Sequence, residues 1–565
     1  MKIKSLDLST DLNHDGYNIN NQFGGRMKCI TFLLIFQINF IFAFYDIREN
    51  VSLPDDFIVG ADLSFLSEFE DNNGQYFQNC NADNGISILQ NQGMDWVRLR
   101  IWHTPENGYL NLEKILESAQ NIFNHDCQFL LDFHYSDTWA DPGQQNIPEA
   151  WENLSVEVMA DSIYEYTKTV VQKLKEQNTL PKIIQIGNEI DNGFLWPVGQ
   201  FPNYDNFFYL LNHAILGVRD ALDESDDVKI MIHNSQGGNN STCVWYFNLL
   251  NEHNVDYEII GLSYYPWWHG NIDNFQNNLI DLATRFNKDI IVVETAYPWT
   301  LQGIDEHNNS VWNENQILPD YPASKVGQAQ FLFDISEIIT NLPDNHGLGF
   351  FYWEPAWLAY PSMENCSNPW ENQTLFDFAG NINTLEDTEP NPTLVHFSVD
   401  MSYLEPEEFN TNGIALRGNI LPLIWQENNI MLDNDGDLIY TTDILFPLSE
   451  LLNLQYKFII ASDNPIWESG EDRRIIINYS CNNQELPLAY WDRIYFEDVM
   501  GDVDDNGEIQ TYDASLVLQN VIDLIDFNEN QIFTADVDGN GQIQAYDASL
   551  ILQYVVGIID EFPID

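Results

Sequence analysis

Between Phe57 and Trp353 the chain repeats one pattern eight times: a short apolar run of strand length, then a stretch of helical length. The runs are Phe57 to Asp62, Trp96 to Trp102, Gln128 to His134, Lys182 to Glu189, Lys229 to His233, Ile259 to Tyr265, Ile290 to Glu294 and Leu348 to Trp353. Continuous apolar runs mark strands buried on both faces, as parallel strands are. The spacers Leu112 to Asn124, Val156 to Glu176, Phe207 to Leu222 and Ala323 to Thr340 carry apolar residues at helical spacing. The pattern predicts an α/β fold, a closed parallel (β/α)8 TIM barrel over residues 55–386. Such barrels present their chemistry at the C-terminal ends of the strands.

Two runs end in a carboxylate. IIQIGNEI, Ile183 to Ile190, closes on Asn188 and Glu189, and IIVVET, Ile290 to Thr295, closes on Glu294. Paired carboxylates at one barrel mouth suit glycosidic-bond hydrolysis, one protonating the leaving oxygen and the other capturing the oxocarbenium-like carbon. The plainer reading has each Glu capping a following helix or pairing with an Arg. The other strand ends carry Asp62, Arg98 with Arg100, His134, His233, Tyr265 and Trp353. Any of these alone is more often a satisfied structural group than a ligand contact.

The charge balance excludes several partners. With 87 acidic against 22 basic residues the net charge is -65, which repels nucleic acid and anionic lipid and disfavours a polyanionic substrate such as unesterified pectin. A salt-adapted host is the other source of such an excess. The 16 Trp suit stacking on sugar rings, although most Trp in any chain is core. Residues 29–43, an uncharged apolar run behind Arg26 and Lys28, predict a secretory signal over 27–43 cleaved after Ala43, and no later run approaches a membrane span. Residues 1–26 read as a mis-called extension ahead of Met27, with half a calcium-loop pattern at Asp11, Asn13, Asp15 and Gly16. Of six Cys, Cys29 lies in the signal. The other five form no CxxC, so export permits one or two disulfides but the spacing suggests no zinc site.

The strings VRLRIW, LDFHYSDTWADPGQQ, IGNEIDNGFLWPVG, IIGLSYYPWWHG, IVVETAYPWT and GFFYWEPAW resemble, in family order, the arabinogalactan endo-β-1,4-galactanases of glycoside hydrolase family 53. The resemblance implies a secreted, retaining, endo-acting enzyme on β-1,4-galactosidic linkages in the (arabino)galactan side chains of plant pectin, with no cofactor for catalysis. It maps the acid/base onto Glu189 and the nucleophile onto Glu294, and sugar contacts onto Arg98, His134, Asn188, Tyr265 and Trp353; the strand-end residues Asp62 and His233, with Trp139, are expected to contact sugar beside them. Asn188 is then the partner of the sugar 2-hydroxyl, Tyr265 orients the nucleophile and Trp353 forms the stacking floor. Arg98 should lower the pKa of Glu294, while Glu189 keeps its proton until the leaving oxygen takes it. Retention implies carboxyls roughly 5 to 5.5 Å apart. Two other readings stay open: another retaining barrel glycosidase of the same clan, of mannanase or cellulase type, and a non-catalytic galactan-binding assembly protein.

In GIDEHNNS, Asp305, His307 and Asn309 alternate along a loop and offer calcium ligands; bacterial family members resemble this with an Asp where this chain has Gly303. TEPNPT reads as a linker. Over 394–496, LVHFSVDM, GIALRGNI, LIYTTDILF, LQYKFIIA and RRIIINYS alternate as a small antiparallel β-sandwich does. YKFIIASDNPIWESGEDRR resembles starch-binding modules of carbohydrate-binding family 20. Trp425 and Trp467 are its candidate stacking residues; the alternative is a spacer with Trp467 in its core.

Residues 500–565 hold two loops 34 residues apart (536 − 502), Asp502, Asp504, Asn506 and Asp513 around Gly507, then Asp536, Asp538, Asn540 and Asp547 around Gly541. Oxygen donors at positions 1, 3, 5 and 12 with Gly at 6 make calcium-loop geometry. With the helices ASLVLQNVIDLI and ASLILQYVVGII behind them, the loops form an all-α pair of repeats that resembles dockerins, which dock onto cohesins. Thr511-Tyr512 and Ala545-Tyr546 stand where dockerin partner choice is read.

Overall fold

The computed structural model describes residues 47–359 (except 73, 107 and 306), 368–385, 391–402, 404, 413–448, 453–491 (except 463, 464 and 471), 500, 501, 503, 509–537 (except 523, 526 and 528), 543–555, 559 and 562. The expected extension 1–26, signal 27–43 and the first half of the TEPNPT linker lie outside the described residues.

Eight parallel strands close into a barrel: β1 (Ile58–Asp62), β2 (Trp96–Ile101), β3 (Gln128–Phe133), β4 (Ile183–Ile186), β5 (Lys229–Asn234), β6 (Ile259–Tyr264), β7 (Asp289–Thr295) and β8 (Gly347–Tyr352). Each pairs with its sequence neighbours, and β8 closes on β1 in the register Val59 to Phe350 and Gly60 to Phe351. The long connections hold α1 (Leu112–Asn124), α2 (Val156–Glu176), α3 (Tyr204–Ala221), α4 (Asn240–Glu252), α5 (Ile272–Phe286) and α6 (Lys325–Thr340). Side chains of Asn111, Ser155, Asn239, Asn271 and Ser324 cap five of these helices by accepting a free first-turn N–H.

Strand alternation sorts the barrel's residues. Val97, Leu99, Leu131, Ile184, Ile232 and Leu262 face outward into the large core beneath the helices. Ile58, Leu130, Ile183, Met231, Ile259, Ile291 and Phe351 face inward and plug the barrel's base. At Gly60 the Phe351 ring takes the place of a side chain, its nearest atom lying 2.3 Å from where a Cβ would stand. One layer above the plug the inward positions turn polar, and these carry the site.

The second module packs two sheets built on β9 (Thr393–Asp400), β10 (Ile414–Gly418), β11 (Ile439–Phe446), β12 (Asn453–Ile460) and β13 (Arg473–Ile476) around Val395, Phe397, Leu416, Phe458 and Trp491. β9 pairs antiparallel with β11 and β10 with β12, as the alternation predicts, but Asn483–Glu485 and Ala489–Tyr490 join β9 in parallel. Trp467 is 40% exposed, so the spacer reading that buries it is corrected: Trp491 fills the core instead. The module is fastened to the barrel by the disulfide Cys80–Cys481, and beside it the Asn381 and Asn478 amides exchange two hydrogen bonds of 2.9 Å. Cys127 and Cys243 are buried free thiols.

At the C-terminus α7 (Thr511–Val521) packs on α9 (Ala545–Val555), with α8 (Glu529–Ala535) between them in sequence. The core is Val503, Ala514, Val517, Val537, Ala548 and Ile551. Among the described residues no helix is long and apolar enough to cross a membrane.

Candidate active site

The polar layer comes from alternate residues of successive strands: Asp62, Arg98, Asp132, Gln185, His233 and Ser263 are all 0 or 1% exposed. Glu294 reaches the same layer by another route. Ile291 and Val293 point inward, so strict alternation would turn Glu294 outward. A register shift where β7 meets β6 and β8 sets Glu294 opposite Ser263 and re-aims it into the barrel, as β-bulges beside active sites do. Strand β4 stops at Ile186 rather than running on to Glu189 as expected. Gly187, at φ +78, and Glu189, at φ +46, turn the chain over the rim, and Gln145 Nε2 fixes the turn by donating to the Asn188 carbonyl at 2.8 Å.

Arg98 is the hub. Its Nη1 meets Asp62 at 2.7 Å and Glu294 Oε1 at 3.0 Å, and its Nη2 meets Asp132 at 2.8 Å and Asn188 Oδ1 at 2.9 Å. Tyr265 donates to the other Glu294 oxygen at 3.0 Å. Glu189 Oε1 accepts from Ser263 Oγ at 2.6 Å, and that hydroxyl accepts in turn from His233 Nε2 at 2.8 Å. His134 Nδ1 accepts from Trp102 Nε1 and from Ala140 N, both at 3.2 Å, which leaves Nε2–H for Asp132 at 3.1 Å.

Burial governs the charges. It pushes Glu294 up to about 7; Arg98 pulls the other way, as expected, but does not outweigh burial, and Asp62 and Asp132 add to the rise. Glu189 is held well above the usual carboxylate range by burial and then by the charge of Glu294. The same burial keeps His233 neutral and Tyr265 protonated, so Tyr265 remains a donor to Glu294.

Both glutamates open on a cleft of about 770 Å³. Of the expected sugar contacts, Arg98, His134, Trp139, Asn188, Tyr265 and Trp353 line it. Asp62 and His233 do not. Both are fully buried behind the wall, Asp62 ion-paired to Arg98 and His233 bonded to Ser263, so they hold other side chains instead of meeting a ligand. The cleft also takes Phe65, Gln236, Trp268, His269, Trp357 and Trp370, none of which the strand-end rule singles out because they come from the connections beyond the strand ends, Trp268 and His269 from the short helix Pro266–His269. Trp268, His269 and Trp357 do stand inside the strings quoted above.

The two places expected to hold calcium are described in part. In the loop after β7, Asp305 spends its oxygens on the N–H groups of His307 at 2.7 Å and Asn368 at 2.9 Å. Asn309 is 6% exposed and Glu371 fully buried, and Asn309 Oδ1 and Glu371 Oε2 have no hydrogen-bond partner among the described residues. His307 is exposed. Glu371, missed in the sequence because it lies 66 residues on from Asp305 (371 − 305), adds a carboxylate beside Gly303. In the C-terminal module Asp513 and Asp547 are fully buried at the starts of α7 and α9, and Asp513 accepts from Val503 N at 2.8 Å and Gln510 N at 2.7 Å. Asp536 is half-buried, and Asp502, Asp504, Asn506, Asp538 and Asn540 lie outside the described residues. On the sandwich Trp425 and Trp467 sit with ring centroids 6.0 Å apart, the Arg417 guanidinium 5.2 Å over Trp467.

A model of glycosyl hydrolase family 53 matches residues 58–386, and one of the dockerin type I domain matches residues 500–556. The arabinogalactan endo-beta-1,4-galactanase of Cellvibrio japonicus is 33% identical over 364 residues, 62% of this chain and 93% of that protein. The solved Ignisphaera aggregans GH53 catalytic domain is 37% identical, with TM-score 0.56 over 59% of this chain and 94% of its own. A structure from a study of two fungal beta-1,4-galactanases is 31% identical, with TM-score 0.51 over 57% of this chain and 96% of its own.

Proposed function

The chain belongs to glycosyl hydrolase family 53, and from that membership we propose that it is an arabinogalactan endo-β-1,4-galactanase working by retention through Glu189 and Glu294. The observation that carries the reading is the contrast between the two carboxyls. Glu294 has a guanidinium on one oxygen and a phenol on the other, both favouring its charged form. Among the described residues the side chain of Glu189 has only the Ser263 hydroxyl as a hydrogen-bond partner, and it is pushed towards its protonated form by burial and by Glu294. Glu294 therefore attacks the anomeric carbon, and Glu189 gives its proton to the departing glycosidic oxygen. In the second step Glu189, now ionised, takes a proton from water as that water displaces Glu294. Asn188, anchored by Arg98 and by the Ala140 carbonyl at 2.9 Å, stands beside Glu189 for the sugar 2-hydroxyl. Trp139, Trp353 and Trp357 supply apolar faces for the galactosyl rings.

Glu189→Gln and Glu294→Gln should each lower galactan turnover by about three or more orders of magnitude, a loss on the order of that for removing a catalytic group elsewhere, with melting temperature not lowered. Near-normal turnover in either variant removes the assignment. Cutting of mannan or cellulose in preference to β-1,4-galactan transfers it to another retaining glycosidase of the same clan.

The remaining modules fit a surface-assembled enzyme. The 27–43 segment is read as an export signal, the 394–496 sandwich as a carbohydrate-binding-like module with Trp425 and Trp467 as its stacking pair, and 500–565 as a dockerin that holds calcium and docks on a cohesin. Asp513 and Asp547, buried carboxylates at two helix starts, suit the closing ligand position of each calcium loop. In the barrel, Asn309 Oδ1 and Glu371 Oε2, without a hydrogen-bond partner among the described residues, suit a cation alongside Asp305, with His307 exposed on the same loop.

A further inference from the structure

The second arginine of VRLRIW, two residues beyond the hub, has no part in the chemistry above. Arg100 is 1% exposed, and its guanidinium carbon lies 4.4 Å from the centroid of the Phe65 ring and 4.4 Å from that of Trp139. It is a filling between two aromatic faces. Its Nη1 reaches Glu354 Oε1 at 2.7 Å, while Nε and Nη2 have no hydrogen-bond partner among the described residues, as befits groups set against rings. Glu354 is also 1% exposed and sits at φ +47, a strained conformation for a non-glycine residue that persists where the surroundings over-determine it. Its other oxygen accepts from the Phe65 N–H at 3.4 Å. One carboxylate thus holds both the cation and the backbone of one covering ring.

The rings so held are the cleft's own wall. Phe65 stacks on Trp357 with centroids 4.2 Å apart, and Trp139 lies 6.0 Å from Trp353. All four line the cleft. Asp62 joins this assembly to the hub, meeting Arg100 at 3.5 Å and Arg98 at 2.7 Å.

We propose that Arg100, held by Glu354, is the positioning residue of the aromatic wall, setting Phe65 and Trp139 so that the sugar chain seats in register with Glu294. The inference rests on the reading of the cleft as a galactan site. Arg100 borders the cleft but, among the described residues, pairs with neither Glu189 nor Glu294; acting through the rings, it weakens on its loss the seating of the substrate more than the chemistry of a seated one.

Arg100→Lys keeps the charge and loses the flat group that two rings can sandwich. On β-1,4-galactan its KM should rise about tenfold, the ratio that ~1.4 kcal/mol gives, with kcat within about threefold and an unmoved pH profile. Glu354→Gln, which frees the cation without changing its shape, should move KM the same way. Both should alter the near-ultraviolet circular dichroism of the coupled tryptophans. An unchanged KM overturns the proposal. So does a fall in kcat with a shifted acidic limb, which would place the action of Arg100 on Glu294 through Asp62. Failure of both variants to fold makes the pair structural and also overturns it. If the wild-type enzyme leaves galactan intact, the substrate reading falls, and the dichroism of the two variants still decides whether Arg100 sets the rings.

Discussion

Glu294 shares its buried layer with Asp62 and Asp132 around the guanidinium of Arg98, and its charge acts on Glu189 at the rim. That crowding has a measurable consequence in pH. The nucleophile must be ionised and the acid protonated, so kcat/KM should be bell-shaped with its acidic limb near the value of about 7 that burial gives Glu294. The two limbs belong to the coupled pair rather than to either residue alone. The same shift fixes a stability trend. A carboxyl whose pKa is higher folded than unfolded binds more protons in the native state between the two values, so stability falls as pH rises through that window. Melting temperature should therefore decline from about pH 5 to about pH 8, and more shallowly in Glu294→Gln; equal slopes would place the cause elsewhere. The sequence shows why a carboxylate stands at the end of IIVVET but not which way it faces. Alternation from Ile291 and Val293 points Glu294 outward, and only the register shift against Ser263 corrects it. Asp62 and His233 err in the opposite direction: strand-end position suggests ligand contact, whereas depth in the barrel makes them supports for Arg98 and Ser263.

Among the elements, the barrel strands were legible to within a few residues because each buries both faces and so reads as an uninterrupted apolar run. The loops that complete the cleft were not, since Phe65, Trp268 and Trp370 follow no period. In the sandwich, the parallel additions at Asn483–Glu485 and Ala489–Tyr490 join distant strands through pairings that no local pattern encodes. The C-terminal helices begin at Thr511 and Ala545, three residues ahead of their apolar runs, where Asp513 and Asp547 are already buried in the first turn. That placement ties helix and loop together. Chelation of calcium should unwind α7 and α9, at 11 residues each, and leave the barrel helices intact. The circular dichroism signal at 222 nm should fall by about that small share and return on adding calcium; an unchanged signal would mean that the helices stand without metal.

For the whole molecule, the bond between Cys80 and Cys481 turns two modules that are far apart in sequence into neighbours, closing 401 residues of chain. With the Asn381–Asn478 amide pair, it makes the sandwich an attached part of the barrel instead of a module swinging on a linker. The double variant Cys80→Ser, Cys481→Ser should lose roughly 2–4 kcal/mol of stability, seen as an earlier calorimetric transition, with kcat on galactan unchanged; an unshifted transition would show that noncovalent contacts suffice. The proposed galactan cleft works by retention through its carboxylate pair, and proton NMR of β-1,4-galactan during its first minutes with enzyme reads that directly. New reducing ends should appear first as the β-anomer and only later equilibrate; a first product in the α-anomer, or no new reducing ends at all, would contradict retention on galactan.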